Sequence, residues 1–293
     1  MTDRPRFGPA GVPPLFSVLG ARLPEVPVLL HQEDLNAFEY QAVRWGQKPQ
    51  IKREDAESLA VEARKNDVQL SLHGSYYVNL CGNSETIEAS KKRIVACATA
   101  ANWMGAHVVV FHTGFYGHME KNFALKTCID SLKDIIATMN SLGIRNLKLG
   151  PETMGKVSQV GSLNEILTIC EEVEQTQLVI DWSHMHARHQ GRFRKISDFR
   201  AITEEIERRL GTEAMRTMHS HFSKIEYTDK GERRHHILGE TKYGPDFEML
   251  AEVLVEFKMH PVIICETPLL DLDAMRMRDT YMKIVETKTA SAS

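Results

Sequence analysis

The feature that most constrains the fold is a short apolar run that recurs eight times along the chain. Each run is rich in β-branched or large apolar residues and is followed by a longer amphipathic segment. The runs are RFGPAG (6–11), NAFEYQ (36–41), VQLSLHG (68–74), HVVVFHTG (107–114), LKLGPET (147–153), QLVIDWSH (177–184), MHSHFSKIEY (218–227) and PVIICET (261–267). This alternation, without the turn signals typical of hairpins, predicts a parallel sheet.

The segments between the runs carry apolar residues at helical spacing. In the segment 84–105, Ser84 is suited to the N-cap and Gly105 to the position after the last helical residue. The other segments are 53–67, 122–143, 162–175, 246–258 and 273–286. No glycine-rich phosphate loop follows any run, and this many units in 293 residues fit a (β/α)8 barrel better than a doubly wound sheet. We therefore expect a single TIM-barrel domain over residues 1–288 and a flexible tail over 289–293.

Composition narrows the classes of function. The chain has 36 basic and 39 acidic residues, a net charge of −3, so nucleic-acid binding would need a local basic or metal-lined surface. Its five cysteines are widely spaced and form no CxxC pair, which is typical of reduced thiols in an intracellular protein. No run approaches the ~18 apolar residues of a membrane span, and the N-terminus lacks a secretory signal. We expect a location in the cytoplasm or nucleoid, without membrane association.

Ligand-type side chains stand at the ends of most of the later runs. They are His73, His112, Glu152, Asp181, His184, His219, His221 and Glu266. In a barrel the carboxyl ends of the strands meet at one mouth, where the chemistry collects. Imidazoles and carboxylates without thiolates suit zinc, manganese or iron. The candidates exceed the roughly four ligands of one zinc, which favours two or three ions, an arrangement that recurs in phosphoester hydrolysis.

Spacing selects among histidines that are close in sequence. His219 and His221 share one face of a strand, and we favour His221 as the ligand because it is nearer the carboxyl end. His186 and His189 lie beyond the strand and are expected in solvent. His107 begins its strand, at the end opposite the chemistry, and is expected to be structural.

The motifs, taken in order, resemble the endonuclease IV-type apurinic/apyrimidinic endonucleases, a branch of the xylose isomerase-like barrels. They are LHGSYYVNL (72–80), FHTG (111–114), ETMG (152–155), IDWSH (180–184), HFS (221–223), HHILGE (235–240) and CET (265–267). Each motif alone is weak, but the ordered set is highly specific. The resemblance covers roughly residues 68–268 at motif level and adds His235 as a loop ligand.

The resemblance implies three zinc ions, with manganese or iron as alternatives. The implied ligands of the first ion are His73, His112 and Glu152. Those of the second are Glu152, Asp181, His221 and Glu266, and those of the third include His184 and His235. Glu152 would bridge two ions and position the nucleophile. Members of the family have an aspartate two residues before the loop histidine, where this chain has Arg233. Glu232 or a water would have to replace that carboxylate, so a centre with two ions stays open.

The activity implied by the resemblance is base excision repair: nicking of double-stranded DNA on the 5′ side of an abasic site. Zinc-bound hydroxide would attack the phosphorus and leave a 3′-hydroxyl, and the enzyme would act as a monomer. Tyr76 falls where the family has an aromatic near the abasic gap. The loop after the second run matches less closely, but it offers Arg44 and Trp45 for DNA contact. The alternative is that Trp45 packs beneath its loop and Arg44 is merely solvated.

Two other functions fit parts of the pattern. A sugar isomerase or epimerase on the same barrel would need one ion held by Glu152, Asp181, His221 and Glu266. It would not need the remaining histidines. A catalytically impaired protein that binds abasic DNA would follow if Arg233 abolishes the third ion site.

Overall fold

Parallel strands form the centre of the computed structural model, which describes residues 4–292. In chain order the strands are β1 Arg6–Pro9, β2 Ala37–Gln41, β3 Gln69–His73, β4 Val108–Phe111, β5 Lys148–Pro151, β6 Val179–Asp181, β7 His219–Phe222, β8 Lys224–Thr228, β9 Gly231–His236 and β10 Val262–Cys265. All except β8 and β9 pair in two parallel sheets, in the orders β1–β10–β7–β6 and β2–β3–β4–β5. Parallel bridges Ala10–Glu39 and Glu152–Val179 join the edges of the two sheets. The strands therefore close into a barrel, and the predicted TIM-barrel fold is confirmed.

Helices surround the barrel and cover its outer face. They are α1 Pro14–Val18, α2 Val26–Gln32, α3 Arg53–Lys65, α4 Ser84–Met104, α5 Lys121–Ser141, α6 Leu163–Glu172, α7 Trp182–Arg188, α8 Ile196–Leu210, α9 Thr212–Arg216, α10 Phe247–Glu256 and α11 Asp271–Ala292. In α3, Ala56, Leu59, Ala60 and Ala63 form one buried stripe at the helical period. The main core lies between helices and strands and includes residues from Phe7 to Ile284. No helix within residues 4–292 is long and apolar enough to cross a membrane.

The two-residue period of the strands sets which side chains enter the barrel. His219 and His221 on β7 both lie inside, and so do Glu39 on β2 and Ser71 on β3, as their mutual contacts show. The pairing register places Asp181 beside His221. The interior therefore has a polar layer at the carboxyl ends of the strands and a second polar group, with Glu39 and His219, one layer deeper.

The structure differs from the sequence prediction between residues 218 and 236. The apolar run 218–227 predicts one strand, but the chain divides at Ser223 into β7 and β8. The hydroxyl of Ser183 accepts a hydrogen bond from the Ser223 N–H at 2.7 Å and donates to its carbonyl at 2.7 Å. The backbone of Ser223 thus pairs with a side chain instead of a neighbouring strand. β8 then turns into an antiparallel hairpin with β9, which the sequence pattern does not predict.

The two ends of the chain and one helix cap also bear on the predictions. α11 continues to Ala292, so the expected flexible tail over residues 289–293 is helical as far as it is described. Thr289 donates its hydroxyl to the Val285 carbonyl at 2.9 Å, as in a regular helix. Residues 1–3 and Ser293 lie outside the described residues. The N-cap of α4 is Asn83, one residue before the predicted Ser84, since its side chain accepts from the Thr86 N–H.

Candidate metal centre

A buried carboxylate, Glu152, lies at the centre of the barrel mouth and is contacted by four imidazoles. Glu152 Oε1 is 3.0 Å from His221 Nδ1 and 3.4 Å from His184 Nδ1. Its Oε2 is 3.2 Å from His112 Nε2 and 3.6 Å from His73 Nε2. Each imidazole comes from a different strand or from the segment that follows one, so the closure of the barrel brings them together.

Two further carboxylates complete a second group of ligand atoms. The ligand-type atoms of Glu152, Asp181, His221 and Glu266 all lie within 4.8 Å of one another. Asp181 caps α7 by accepting the His184 N–H at 2.7 Å, which leaves its Oδ2 facing the cluster. The carboxylate of Glu266 lies 3.3 Å from His221 Nδ1.

The β8–β9 hairpin carries two more predicted residues to the mouth. Glu232 Oε2 lies 3.1 Å from His184 Nε2, and His235 Nδ1 lies 3.8 Å from Glu266 Oε2. Arg233, in contrast, faces away: its side chain is 66% exposed and pairs with Glu226 at 2.7 Å. The register of the hairpin shifts at this point, with Tyr227 paired to Glu232 and Glu226 to Arg234, so Arg233 is the extra residue of a β-bulge and is turned away from the site.

Glycine at position 155 is required for this approach of the hairpin. A Cβ added there would lie 2.1 Å from Glu232 Oε2. Such a contact is far inside van der Waals distance, so any side chain at position 155 would displace Glu232. The ETMG sequence after β5 thus supplies both Glu152 and the space for the hairpin carboxylate.

The pKa values of two carboxyl groups at the centre, Glu266 and Glu152, are shifted in opposite directions. Burial raises the pKa of Glu266 to about 8, even though His221 opposes the shift. Burial also acts to raise the pKa of Glu152, but the charge of His221 and the contacts with the other imidazoles outweigh it and hold that pKa well below its usual value. A bound cation would favour ionisation of both carboxyl groups.

The donor set fits divalent metal ions. Three buried carboxylate oxygens, Glu152 Oε2, Asp181 Oδ2 and Glu232 Oε2, have no hydrogen-bond partner among residues 4–292. Buried polar atoms in native proteins are nearly always satisfied, so these clustered oxygens call for a partner, either a cation or a water. All three belong to groups that also hold imidazole nitrogens, the combination that zinc, manganese and iron accept.

The remaining predicted residues lie around this centre. His219 lies one layer deeper, with Nε2 3.0 Å from Glu39 Oε2, and forms a separate group of ligand-type atoms with Glu39 and His221. Tyr76 stacks on His112, with ring centroids 5.3 Å apart, and is 53% exposed. Arg44 is exposed. Trp45 is buried against Tyr40, so DNA contact by Trp45 is not supported, and the alternative that it packs beneath its loop is what the structure shows.

Two polar residues, His186 and Glu39, lie in positions that the sequence analysis does not predict. His186, expected in solvent, is buried: its Nδ1 accepts from the Phe193 N–H at 3.1 Å, and its ring stacks on Phe193. Glu39 is not among the predicted site residues, although it is fully buried beside His221. Its signal in the sequence is a carboxylate two residues before the end of an otherwise apolar strand, at the inward-facing phase.

The chain is a (β/α)8 barrel with a buried imidazole–carboxylate cluster at its strand ends that could hold metal ions. The sequence matches the family described as xylose isomerase-like TIM barrel over residues 29–280, and the chain belongs to that family. The resemblance drawn from the motifs is confirmed at this level.

Two relatives in sequence illustrate the range of names. An uncharacterized protein of Methanocaldococcus jannaschii is 34% identical over 219 residues, which cover 74% of this chain and 78% of that protein. A probable endonuclease 4 of Ureaplasma urealyticum is 26% identical over 232 residues, covering 75% and 72%.

Solved structures show the same barrel. Endonuclease IV from Thermus thermophilus superposes with a TM-score of 0.69 at 17% identity, covering 90% of this chain and 94% of that one. A D-tagatose 3-epimerase-like protein superposes with a TM-score of 0.64 at 17% identity, covering 92% and 97%. At this identity the two structures bear on the fold and do not choose between the activities.

Proposed function

We propose that the chain is a metal-dependent phosphodiesterase that nicks double-stranded DNA on the 5′ side of abasic sites and leaves a 3′-hydroxyl. The observation that carries the proposal is the set of four imidazoles around Glu152, at 3.0–3.6 Å. One ion needs about four protein ligands. This mouth also supplies Asp181, Glu232, His235 and Glu266, which suits two or three ions. Relatives named probable endonuclease 4 support the same choice.

The residues would divide the ions among them as the family motifs imply, with Glu232 in place of the missing aspartate. The first two sets are His73, His112 and Glu152, and then Glu152, Asp181, His221 and Glu266. The third set would be His184, His235 and Glu232: Glu232 lies 3.1 Å from His184, and the two histidines also form a group with Glu266. When bound, zinc, or manganese or iron in its place, would make a water nucleophilic near neutral pH and neutralise charge on the phosphodiester. Glu152, shared by two sets, would fix their spacing.

Other residues would hold the DNA. Tyr76 covers His112 at the mouth and keeps an exposed ring face for the sugar or a neighbouring base. Arg44 is exposed and can reach a phosphate. An abasic nucleotide has neither stacking nor pairing to lose, so it is the nucleotide most easily drawn out of the duplex into such a mouth.

A cleavage assay tests this function. Zinc-loaded protein is mixed with a labelled duplex that contains one tetrahydrofuran abasic analogue, and with the same duplex without the lesion. We expect a nick only at the lesion, a product that a polymerase can extend from its 3′-hydroxyl, and no product with a chelator. Glu152→Gln should abolish cleavage, whereas Glu205→Gln, whose carboxylate pairs with Arg208 on the outer helix α8, should leave it unchanged. Absence of any nick by metal-replete protein, or binding of the lesion without cleavage, would refute the proposal.

A sugar epimerase or isomerase is the second candidate. The specific observation in its favour is that Glu152, Asp181, His221 and Glu266 alone form a compact group suited to one ion. The fold of the epimerase-like structure is also shared. Epimerisation of ketohexoses by protein that holds one ion per chain would establish this function instead. His73, His112, His184 and Glu232 would then have no role in the chemistry, which is why we favour the nuclease.

The third candidate, a DNA-binding protein without activity, depends on loss of the third ion site through Arg233. We do not favour it, because Glu232, 3.1 Å from His184, would supply a carboxylate in place of the missing aspartate.

A further inference from the structure

We propose that Glu39 is a positioning residue that fixes His221 with Nε2 protonated and Nδ1 directed at the metal ions. The proposal rests on the metal-binding role proposed above. Glu39 lies on β2, fully buried, one layer below the predicted ligands, and His221 Nε2 lies 3.2 Å from its Oε1. Nothing in the ligand motifs of the family resemblance includes this residue.

The two faces of His221 have different partners. Its Nδ1 is 3.0 Å from Glu152 Oε1 and 3.3 Å from Glu266 Oε1, on the side of the ions. Its Nε2 faces Glu39, which as a carboxylate can only accept a hydrogen bond. Nδ1 faces carboxylates as well, but an ion held by Glu152 and Glu266 would need a lone pair on Nδ1, so with that ion bound the single proton of a neutral imidazole would sit on Nε2. A carboxylate on the outer nitrogen is the usual device that sets the tautomer and orientation of a ligand histidine.

Glu39 is a saturated hydrogen-bond acceptor, unlike the carboxylates of the metal centre. Its Oε2 accepts from Ser71 Oγ at 2.9 Å and lies 3.0 Å from His219 Nε2. Its Oε1 accepts from Gln41 Nε2 at 3.3 Å. The orphaned oxygens belong instead to Glu152, Asp181 and Glu232. The ligand-type atoms of Glu39, His219 and His221 also lie within 4.8 Å of one another, but because both oxygens of Glu39 already have partners we assign it to the support of a ligand.

A chain of buried contacts anchors Glu39 from below. His219, which holds Glu39 through Nε2, has its Nδ1 3.3 Å from His107 Nε2. His107 Nδ1 in turn lies 2.9 Å from the Leu70 carbonyl. Two neutral imidazoles carry only two N–H protons, so at most two of these three contacts are hydrogen bonds, and the Ser71 hydroxyl is the donor to Glu39 that does not depend on a tautomer. His107 and His219 lie next to each other inside the barrel, and both belong to the packing around Glu39.

The test compares metal binding by the wild type and by Glu39→Gln, which keeps the side-chain volume but places an amide N–H₂ among the donors. Zinc affinity is measured by competition with a chromophoric chelator, ion count at saturation by mass spectrometry, and ligand field by visible absorption of the cobalt(II) form. We expect an unchanged ion count, a roughly 10–100-fold loss of affinity for one ion, and a shifted cobalt spectrum. Glu205→Gln, on the outer helix α8, serves as the control and should retain wild-type values.

Two results would overturn the proposal: wild-type affinity and spectrum in Glu39→Gln, or loss of a whole ion at saturating zinc, which would make Glu39 a ligand. A measurement on the wild type guards against a variant that fails to fold. Long-range ¹H–¹⁵N correlation spectra of the zinc form should show His221 protonated at Nε2, and protonation at Nδ1 would overturn the proposal. These readouts use no DNA, so protein that binds ions as expected but leaves abasic DNA intact would refute the nuclease and uphold this inference. Protein that binds no divalent ion would contradict both.

Discussion

At the scale of single residues, some members of the candidate metal centre can be predicted from the sequence and others cannot. The residues around Glu152 are identifiable because they end successive apolar runs, and in a closed barrel such ends converge. The choice between Glu232 and Arg233 is not identifiable, because no sequence signal marks the hairpin and so neither side chain can be assigned a face. Glu39 cannot be predicted from the sequence for a related reason, because a single carboxylate inside a strand forms no motif. Its role depends on His221, which lies beside it in the folded chain.

Replacing Glu232 should weaken the third ion site, while replacing its neighbour should not. Glu232→Gln removes an ionised, orphaned oxygen 3.1 Å from His184, so we expect zinc affinity at one site to fall by at least the roughly 10–100-fold typical of outer-sphere changes. Arg233→Gln alters an exposed residue that faces Glu226 and should stay within about twofold of wild type by the usual effect of surface changes. Equal effects of the two changes in zinc titrations would contradict the assignment.

Tyr76 should contribute to binding of the lesion and not of the ions. Removing an aromatic ring that stacks on nucleic acid costs about 1–3 kcal/mol, so Tyr76→Ala should weaken binding of abasic duplex by about 5–150-fold. Tyr76→Phe retains the ring and should bind nearly as the wild type does. The measurement is fluorescence anisotropy in the presence of zinc on the non-cleaving Glu152→Gln background, and an unaltered dissociation constant after Tyr76→Ala would remove Tyr76 from the DNA interface.

At the scale of elements, the sequence predicts the eight barrel strands and most of the long helices, because the spacing of apolar residues along each element follows from which of its faces is buried. It misses the β8–β9 hairpin, whose turn at Asp229 and Lys230 before Gly231 is a weak signal beside the apolar run 218–227. It also assigns no helix to the segment 182–216, which contains α7, α8 and α9. The hairpin depends on tertiary contacts: a Cβ on Gly231 would lie 2.2 Å from the Gly155 carbonyl oxygen.

The seating of this hairpin can be tested separately. Gly155→Ala would force Glu232 away, so we expect it to lower zinc affinity at one site to the same degree as Glu232→Gln. Gly46→Ala is the control, since a Cβ there meets nothing closer among the described residues than Gln50 Nε2 at 3.8 Å. Both variants should be checked for cooperative thermal unfolding. A Gly155→Ala protein with wild-type zinc binding would show that the hairpin does not deliver a ligand.

At the scale of the whole molecule, the barrel gathers groups that the sequence scatters from residue 39 to residue 266. Net charge is −3, so attraction to DNA must come from the ions and from local cations such as Arg44. Arg188 does not contribute freely, because its guanidinium is held by the carbonyls of Met154, Lys156 and Gln159. Binding should accordingly be concentrated at the mouth.

The dependence of DNA binding on salt concentration measures how many phosphates the protein contacts. Each phosphate contact should add about −0.9 to the slope of log affinity against log salt concentration. We expect a clearly negative slope for abasic duplex bound by Glu152→Gln, and a shallower slope after Arg44→Gln. A slope that does not depend on salt would contradict a phosphate-backbone interface at the mouth.

The most direct test of the proposed centre is the number of ions that one chain holds. Native mass spectrometry of the protein after equilibration with zinc and removal of free metal measures this number without reference to DNA. We expect two or three ions per chain, with one fewer in Glu232→Gln if the hairpin site is filled. A single ion per chain in the wild type would contradict the multi-ion centre and favour the epimerase class instead.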